Sequence, residues 1–254
     1  MYGFGIAVLA FLADTPATAP AGMLTLLPGI YTNEEDVFFA SEAKQAQTAY
    51  VAISITREGD ALKLREIDRF GKSLEDGHLM KVVANTLVAG PCTMPFRAEN
   101  GTLTALPRAG RCHNPSVMSR ISAAGITLTL PDGSTTLLRR ARTATCWGAA
   151  LKATRKPDGS EDWYGAYNLK LHDQGGRVAF GGGDTGAPTV VLRMRNVVWP
   201  SGPNKPSLVL YVHTPEQPDH AVSYSWADPD AKRIGINLRW MQVSCTIDTP
   251  GGGK

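Results

Sequence analysis

The residues best equipped for chemistry in this sequence gather between Arg111 and Arg177. Cys112, His113, Cys146, His172 and Asp173 could be assembled into a metal set, because thiolate, imidazole and carboxylate are the usual zinc donors. None of the four cysteines (Cys92, Cys112, Cys146 and Cys245) stands in a C-x-x-C, and an oxidised cysteine is no ligand. The stretch is therefore read as disulfide cysteines with surface imidazoles and no metal. Four cysteines permit three pairings, which spacing leaves open. Trp147, Trp163, Tyr164 and Tyr167 fall on adjacent predicted strands, where alternate residues share a face. Inside a barrel such rings line a pocket for a flat apolar ligand, or simply fill the core. Asp173 stands two residues before Gly175, a spacing that also suits a capped turn.

Other catalytic signatures are missing. The chain has no G-x-S-x-G, no H-E-x-x-H, no Walker A and no dinucleotide fingerprint after a strand. Gly181-Gly182-Gly183 lacks the lysine and the following helix that would cradle phosphate, so it reads as a turn. The net charge of +3 is mild for 254 residues. Its tightest basic cluster (Arg139, Arg140 and Arg142) sits at a strand end without the interleaved aromatics of a single-strand binder. Nucleic acid is not an expected partner.

The elements that must position these residues follow from periodicity. Thr32 and Glu35 have capping-box spacing, which predicts one short helix over Asp36 to Gln47. After it the period becomes two. Tyr50–Thr56 and Leu62–Ile67 flank a Gly-Asp turn as a first hairpin, and Leu79–Val88 reads as strand through its β-branched residues. Further strands are predicted near 101–106, 125–130, 135–140, 146–154, 163–171, 177–180, 189–199, 207–213, 221–226 and 234–247, with hairpin turns at Pro131-Asp132-Gly133 and Pro157-Asp158-Gly159. Pro200 to Pro206 is too proline-rich to pair. So many short antiparallel strands with one helix indicate an all-β barrel or sandwich, and no repeat suggests a propeller.

Gly5 to Ala13 is a short apolar run, below the ~20 residues of a membrane span. Ala19-Pro20-Ala21 then offers a cleavage site before Gly22. Residues 1–21 are read as a signal peptide, lacking a basic n-region, or as a disordered leader. A single domain over 22–248 and a tail at 249–254 follow. Export to the periplasm or outside the cell agrees with an even cysteine count. No membrane span is expected.

The chain also resembles the CpcT/CpeT family of chromophore lyases. Leu27-Pro28-Gly29-Ile30-Tyr31-Thr32-Asn33 resembles the family's opening Leu-x-Gly-x-aromatic-x-Asn before a helix. Cys112 and, downstream, Cys146 resemble its Gly-Cys element and second cysteine, and Leu171-His172-Asp173-Gln174-Gly175 resembles its aspartate-x-Gly element. The resemblance covers roughly residues 24 to 200. It implies an antiparallel calyx-like (lipocalin-like) β-barrel with one short N-terminal helix, holding a linear tetrapyrrole and passing it to a cysteine of an acceptor protein. In that reading Asp173 protonates or hydrogen-bonds the bilin, Arg65 or Arg97 pairs with its propionates, and Trp163, Tyr167 and His172 complete the ligand site. The enzyme would be a C–S bond-forming lyase without a separate cofactor. The alternative is an exported lipocalin-like protein that binds a small hydrophobic or tetrapyrrole-like ligand without catalysis, as monomer or homodimer.

Overall fold

A computed structural model describes residues 22–45, 49–112, 117–218 and 220–249. The leader, His113 and the last five residues lie outside the described residues. In the first half the chain forms a short helix α1 (Met23–Leu26), strand β1 (Gly29–Thr32), helix α2 (Glu34–Glu42), and strands β2 (Ala52–Glu58), β3 (Ala61–Glu66), β4 (His78–Val83), β5 (Thr86–Ala89), β6 (Cys92–Glu99), β7 (Thr102–Ala105), β8 (Ala109–Gly110), β9 (Val117–Ser122), β10 (Gly125–Thr129) and β11 (Thr135–Arg140). Antiparallel pairing runs β5-β4-β3-β2-β1-β11-β10-β9-β7-β6, and β5 pairs with β6 to close a ten-stranded barrel. Closure removes the exposed edges that an open sheet of this length would carry.

Alternation along these strands sends Ile53, Ile55, Leu62, Phe96, Ile121, Ile126 and Leu138 inward, where they form one buried core. Met23 and Leu27, from α1 and its C-terminal end, complete that core. Tyr31 Oη donates to Leu27 O at 2.9 Å, and the Arg140 guanidinium donates to Leu26 O and Pro28 O, both at 2.6 Å. The barrel interior is thus packed with side chains. A cavity of about 140 Å³ opens beside Leu26 and the β6–β7 turn, below the size of usual ligand pockets.

The second half continues as β12 (Thr143–Arg155), β13 (Glu161–His172), β14 (Gln174–Phe180), a 3-10 turn (Gly183–Thr185), β15 (Val190–Val197), β16 (Ser207–His213), β17 (Ser223–Ala227), β18 (Arg233–Asn237) and β19 (Met241–Ile247). These strands pair in two four-stranded sheets, β13-β12-β19-β18 and β14-β15-β16-β17. Cys146, Phe180, Leu192, Met194, Leu210 and Val243 belong to their common core. The sequence reading carried a single barrel to residue 248, but barrel pairing ends at Arg140. Period-two patterning looks the same in a barrel wall and in a sandwich sheet, so only long-range pairing separates them.

Several elements differ locally from expectation. Among the described residues there are two α-helices, and α2 starts two residues earlier than the capping box implied. Thr32 Oγ1 does accept from the Glu34 amide at 3.1 Å. Asn33, however, bonds across to Ala49 O and the Val51 amide instead of capping, at 2.9 and 2.8 Å. The predicted strand at Leu79–Val88 is two strands broken by Ala84, which has φ +52. Strands β1, β6, β8 and β9 were not anticipated, and 234–247 is a hairpin. The two Pro-Asp-Gly-Ser turns form as predicted, with Asp132 and Asp158 each accepting from the serine two residues on. Those hydroxyl bonds hold both carboxyls below their ordinary pKa.

The disulfides are Cys92–Cys112 and Cys146–Cys245. Cys146 faces Cys245 directly across β12 and β19, inside the sandwich core. The two bridges close segments of 20 and 99 residues. Chain entropy predicts that replacing Cys146 and Cys245 by alanine costs about 4–5 kcal/mol, against about 3 kcal/mol for the Cys92/Cys112 pair. Urea midpoints of the two double variants test this, and an equal or reversed ranking refutes it.

Candidate functional site

Helix α2 lies between the barrel and the β14–β17 sheet, and its first turn is acidic: Glu34, Glu35 and Asp36. Carboxylates suit a helix N-terminus because the backbone dipole is positive there. Glu34 and Glu35 are nevertheless buried. Their partners explain how. Strand β15 reads Val-Val-Leu-Arg-Met-Arg-Asn-Val, so Leu192 and Met194 enter the sandwich core while Arg193 and Arg195 share the opposite face. Glu35 binds Arg195 through two bonds, Oε1 to Nε at 2.6 Å and Oε2 to Nη2 at 2.8 Å. Glu34 accepts from Arg193 at 2.7 Å and from Arg69 at 3.1 Å. The Arg195 guanidinium also stands 3.7 Å from the Phe38 ring centre, a cation–π contact between helix and sheet.

Asp173 is the single residue between β13 and β14, where the chain leaves one sheet for the other. It is 1% exposed. Its carboxylate accepts from the Arg142 amide at 2.8 Å and from Arg142 Nε at 2.6 Å, while Arg142 O accepts from the Asp173 amide at 3.0 Å. Arg142 lies between the last barrel strand and the first sandwich strand, so this reciprocal clasp holds the corner of the molecule. Gly175 and Gly176 follow because space is short. A Cβ on Gly175, which has φ +82, would overlap the Glu34 side chain, and one on Gly176 would overlap the His172 ring.

The remaining sequence-predicted ligand residues do not join Asp173. Arg65 lies on β3 with Glu58 and Thr56, and Arg97 is exposed on β6. Trp163 donates to Glu161 on β13, and Tyr167 is 74% exposed. Tyr164 packs partly against the sandwich core. The four aromatics do share the neighbouring strands β12 and β13, as read, but those strands belong to the sandwich and not to the barrel wall. His172 is buried, with its Nδ1 accepting from the Gln174 amide at 3.4 Å.

An open cleft of about 730 Å³ lies beside this junction. Asp36, Phe39 and Ala40 of α2 form one side, and Ala124, Arg139 and Arg140 of the barrel a second. The third comes from Val198 and Trp199, which the predicted strand at 189–199 included but which follow the end of β15, and from Pro200 and Pro206 of the proline-rich loop that the sequence marked as unpaired. Gln174 and Asn196 also line it. Trp199 meets Phe39 edge-on, with ring centres 6.1 Å apart. Asp36 and Arg139 form a half-exposed ion pair at 3.0 Å. From Phe39 the rings continue through Phe38 and the Arg195 guanidinium to Tyr211, Tyr224 and Trp226, the last two exposed.

Sequence reasoning did not single out Glu34, Arg193, Arg195, Gln174, Asn196 or Trp199. One signal was available: two arginines spaced by two within an otherwise apolar strand call for a buried counter-charge. Nothing comparable marked Gln174 or Trp199. Among the described residues no group of three or more His, Cys, Asp and Glu side chains is arranged to hold a metal ion, and no helix is long and apolar enough to cross a membrane. The chain matches no family model, no curated protein and no solved structure.

Two outcomes follow. Glu35→Gln leaves the Arg195 charge buried without its carboxylate and is expected to cost about 3–5 kcal/mol. An unchanged denaturation midpoint would contradict the ion pair. Burial lowers the His172 pKa from 6.5 to about 4. The unfolded chain therefore binds an extra proton between those values, and stability present above pH 6.5 is lost as pH falls toward 4, by about 3 kcal/mol. His213 is depressed in the same direction by burial and by Arg177 and Arg193. A His172→Gln variant retains the His213 contribution, so a shallower slope of unfolding free energy between pH 4 and 6.5 is expected relative to the parent. Identical slopes would exclude the effect.

Proposed function

We propose that this chain is an exported, non-catalytic binding protein that takes a small ring-bearing ligand in the cleft between α2, the barrel and the 198–206 loop. The observation that carries this reading is the cleft itself, whose volume of about 730 Å³ lies within the usual range of ligand sites. Its walls combine apolar surface from Phe39, Trp199 and three prolines with a few polar groups that can fix orientation. The barrel interior is lined by inward-facing side chains that pack with α1 into one buried core. Two disulfides support the exported location, since such bonds persist in oxidising compartments.

The bilin-lyase reading needs Asp173 to face a pigment beside an arginine that binds propionate. Here the Asp173 carboxylate is engaged by Arg142, and Arg65 and Arg97 stand on barrel strands away from it. The non-catalytic alternative is therefore the better supported of the two. Absorbance titration with phycocyanobilin, and with haem as control, separates them. The expected result is no red-shifted band, and a band lost in Asp173→Asn would put the lyase first.

Ligand-observed NMR with indole, phenol, benzamide and adenosine tests the cleft. Broadening of at least one probe is expected in the parent, weakened about tenfold in affinity by Trp199→Ala. Binding that Trp199→Ala leaves untouched, or no binding by any probe or by the oligosaccharides below, would overturn the proposal.

A further inference from the structure

We infer that the ligand of the cleft is an uncharged saccharide, an inference that rests on the cleft being the binding site. The first reason is Gln174. Gln174 is 8% exposed and lines the cleft, and its Oε1, itself sealed from solvent, accepts from no side chain or backbone amide among the described residues. A buried amide oxygen left so costs about 1–3 kcal/mol, which a turn of the carboxamide toward a hydroxyl or N–H of a ligand in the cleft recovers. Asn196 adds a second carboxamide, held loosely by Pro229 O at 3.4 Å and Asp173 Oδ2 at 3.5 Å. Carboxamides both donate and accept, as a hydroxyl does, and they carry no charge.

The second reason is that every charged group in the lining already has a partner. Glu35 is held bidentately by Arg195, Arg140 by the Leu26 and Pro28 carbonyls, and Asp36 by Arg139. A phosphate or carboxylate would find no uncommitted cation there. A neutral polyol can instead bridge both ends of the half-exposed Asp36–Arg139 pair, accepting from one and donating to the other.

The third reason is the aromatic geometry. Phe39 stands at 64° to Trp199, so the two rings form a corner and not a parallel slot. A nucleobase gains most when stacked between parallel faces. A pyranose needs one ring face for its C–H groups, with its hydroxyl rim left for amides and ion pairs. The proline lips at Pro200, Pro206 and Pro229 add rigid apolar surface, and the volume exceeds what a single sugar ring fills.

Calorimetry and tryptophan fluorescence on the oxidised full chain test this with cellotetraose, maltotetraose and chitotetraose, and with adenosine as the uncharged heterocycle. At least one tetrasaccharide is expected to bind more tightly than adenosine. Trp199→Ala and Gln174→Leu are each expected to weaken it about tenfold or more. Trp199 is partly exposed, so its variant keeps the test valid if Gln174→Leu fails to fold. Adenosine or another NMR probe binding in a Trp199-dependent way, with no tetrasaccharide bound, keeps the cleft as the site and refutes the saccharide. No binding by any of these molecules removes both readings. Tetrasaccharide binding that Trp199→Ala leaves unchanged also overturns the inference, because the sugar then sits elsewhere.

Discussion

The structure hangs on the pairing of Glu34 and Glu35 with Arg69, Arg193 and Arg195. Burying a charge is costly, and breaking such a pair strands the survivor in a medium where it has no water. These carboxylates come from a helix that follows the first barrel strand, and Arg193 and Arg195 come from a strand of the far sheet. Neither set is tolerable alone. The barrel and the second pair of sheets are therefore held to one arrangement, since sliding them would unpair several charges at once. The bidentate geometry of Glu35 with Arg195, at 2.6 and 2.8 Å, adds direction to that constraint.

Around this pairing the neighbouring details become intelligible. Phe38 packs under the Arg195 guanidinium and shields it from solvent. Gly175 is required because Glu34 crosses where its side chain would be. Asp173 turns the chain from one sheet into the other and clasps Arg142, the residue that leaves the barrel. A conspicuous aspartate in a glycine-rich stretch thus serves the corner of the fold. Its neighbour Gln174, one residue on, lines the cleft.

The location of the cleft follows from the same constraint. The barrel's inward side chains pack into one core, and the open cleft lies where three rigid surfaces meet without merging. Helix α2 is tied by its ion pairs to both the barrel and strand β15, and the 198–206 loop cannot add a strand because its prolines lack amide donors. What remains between them is an open corner with an aromatic floor edge, two carboxamides and a surface ion pair.

How much of this was legible in the chain can be traced residue by residue. Alternating apolar residues, Pro-Asp-Gly-Ser turns and the proline-rich loop are local signals, and they specified an antiparallel all-β protein, its hairpins and one of its unpaired segments. Thr32 and the acidic residues after it announced α2, though the helix begins at Glu34, whose carboxylate is committed to Arg193, 159 residues away, and to Arg69. The cysteines announced disulfides without their pairing, which depends on β12 lying against β19. Trp147, Trp163, Tyr164 and Tyr167 were read on adjacent strands of a barrel, as pocket lining or core, yet the same alternation serves a sandwich sheet equally well. By itself, then, the sequence determined period, turn and composition, because those are set by neighbours within a few residues. Only the tertiary structure decided where the barrel closes, which charges are buried together and where a cleft remains, because each depends on contacts between segments a hundred or more residues apart.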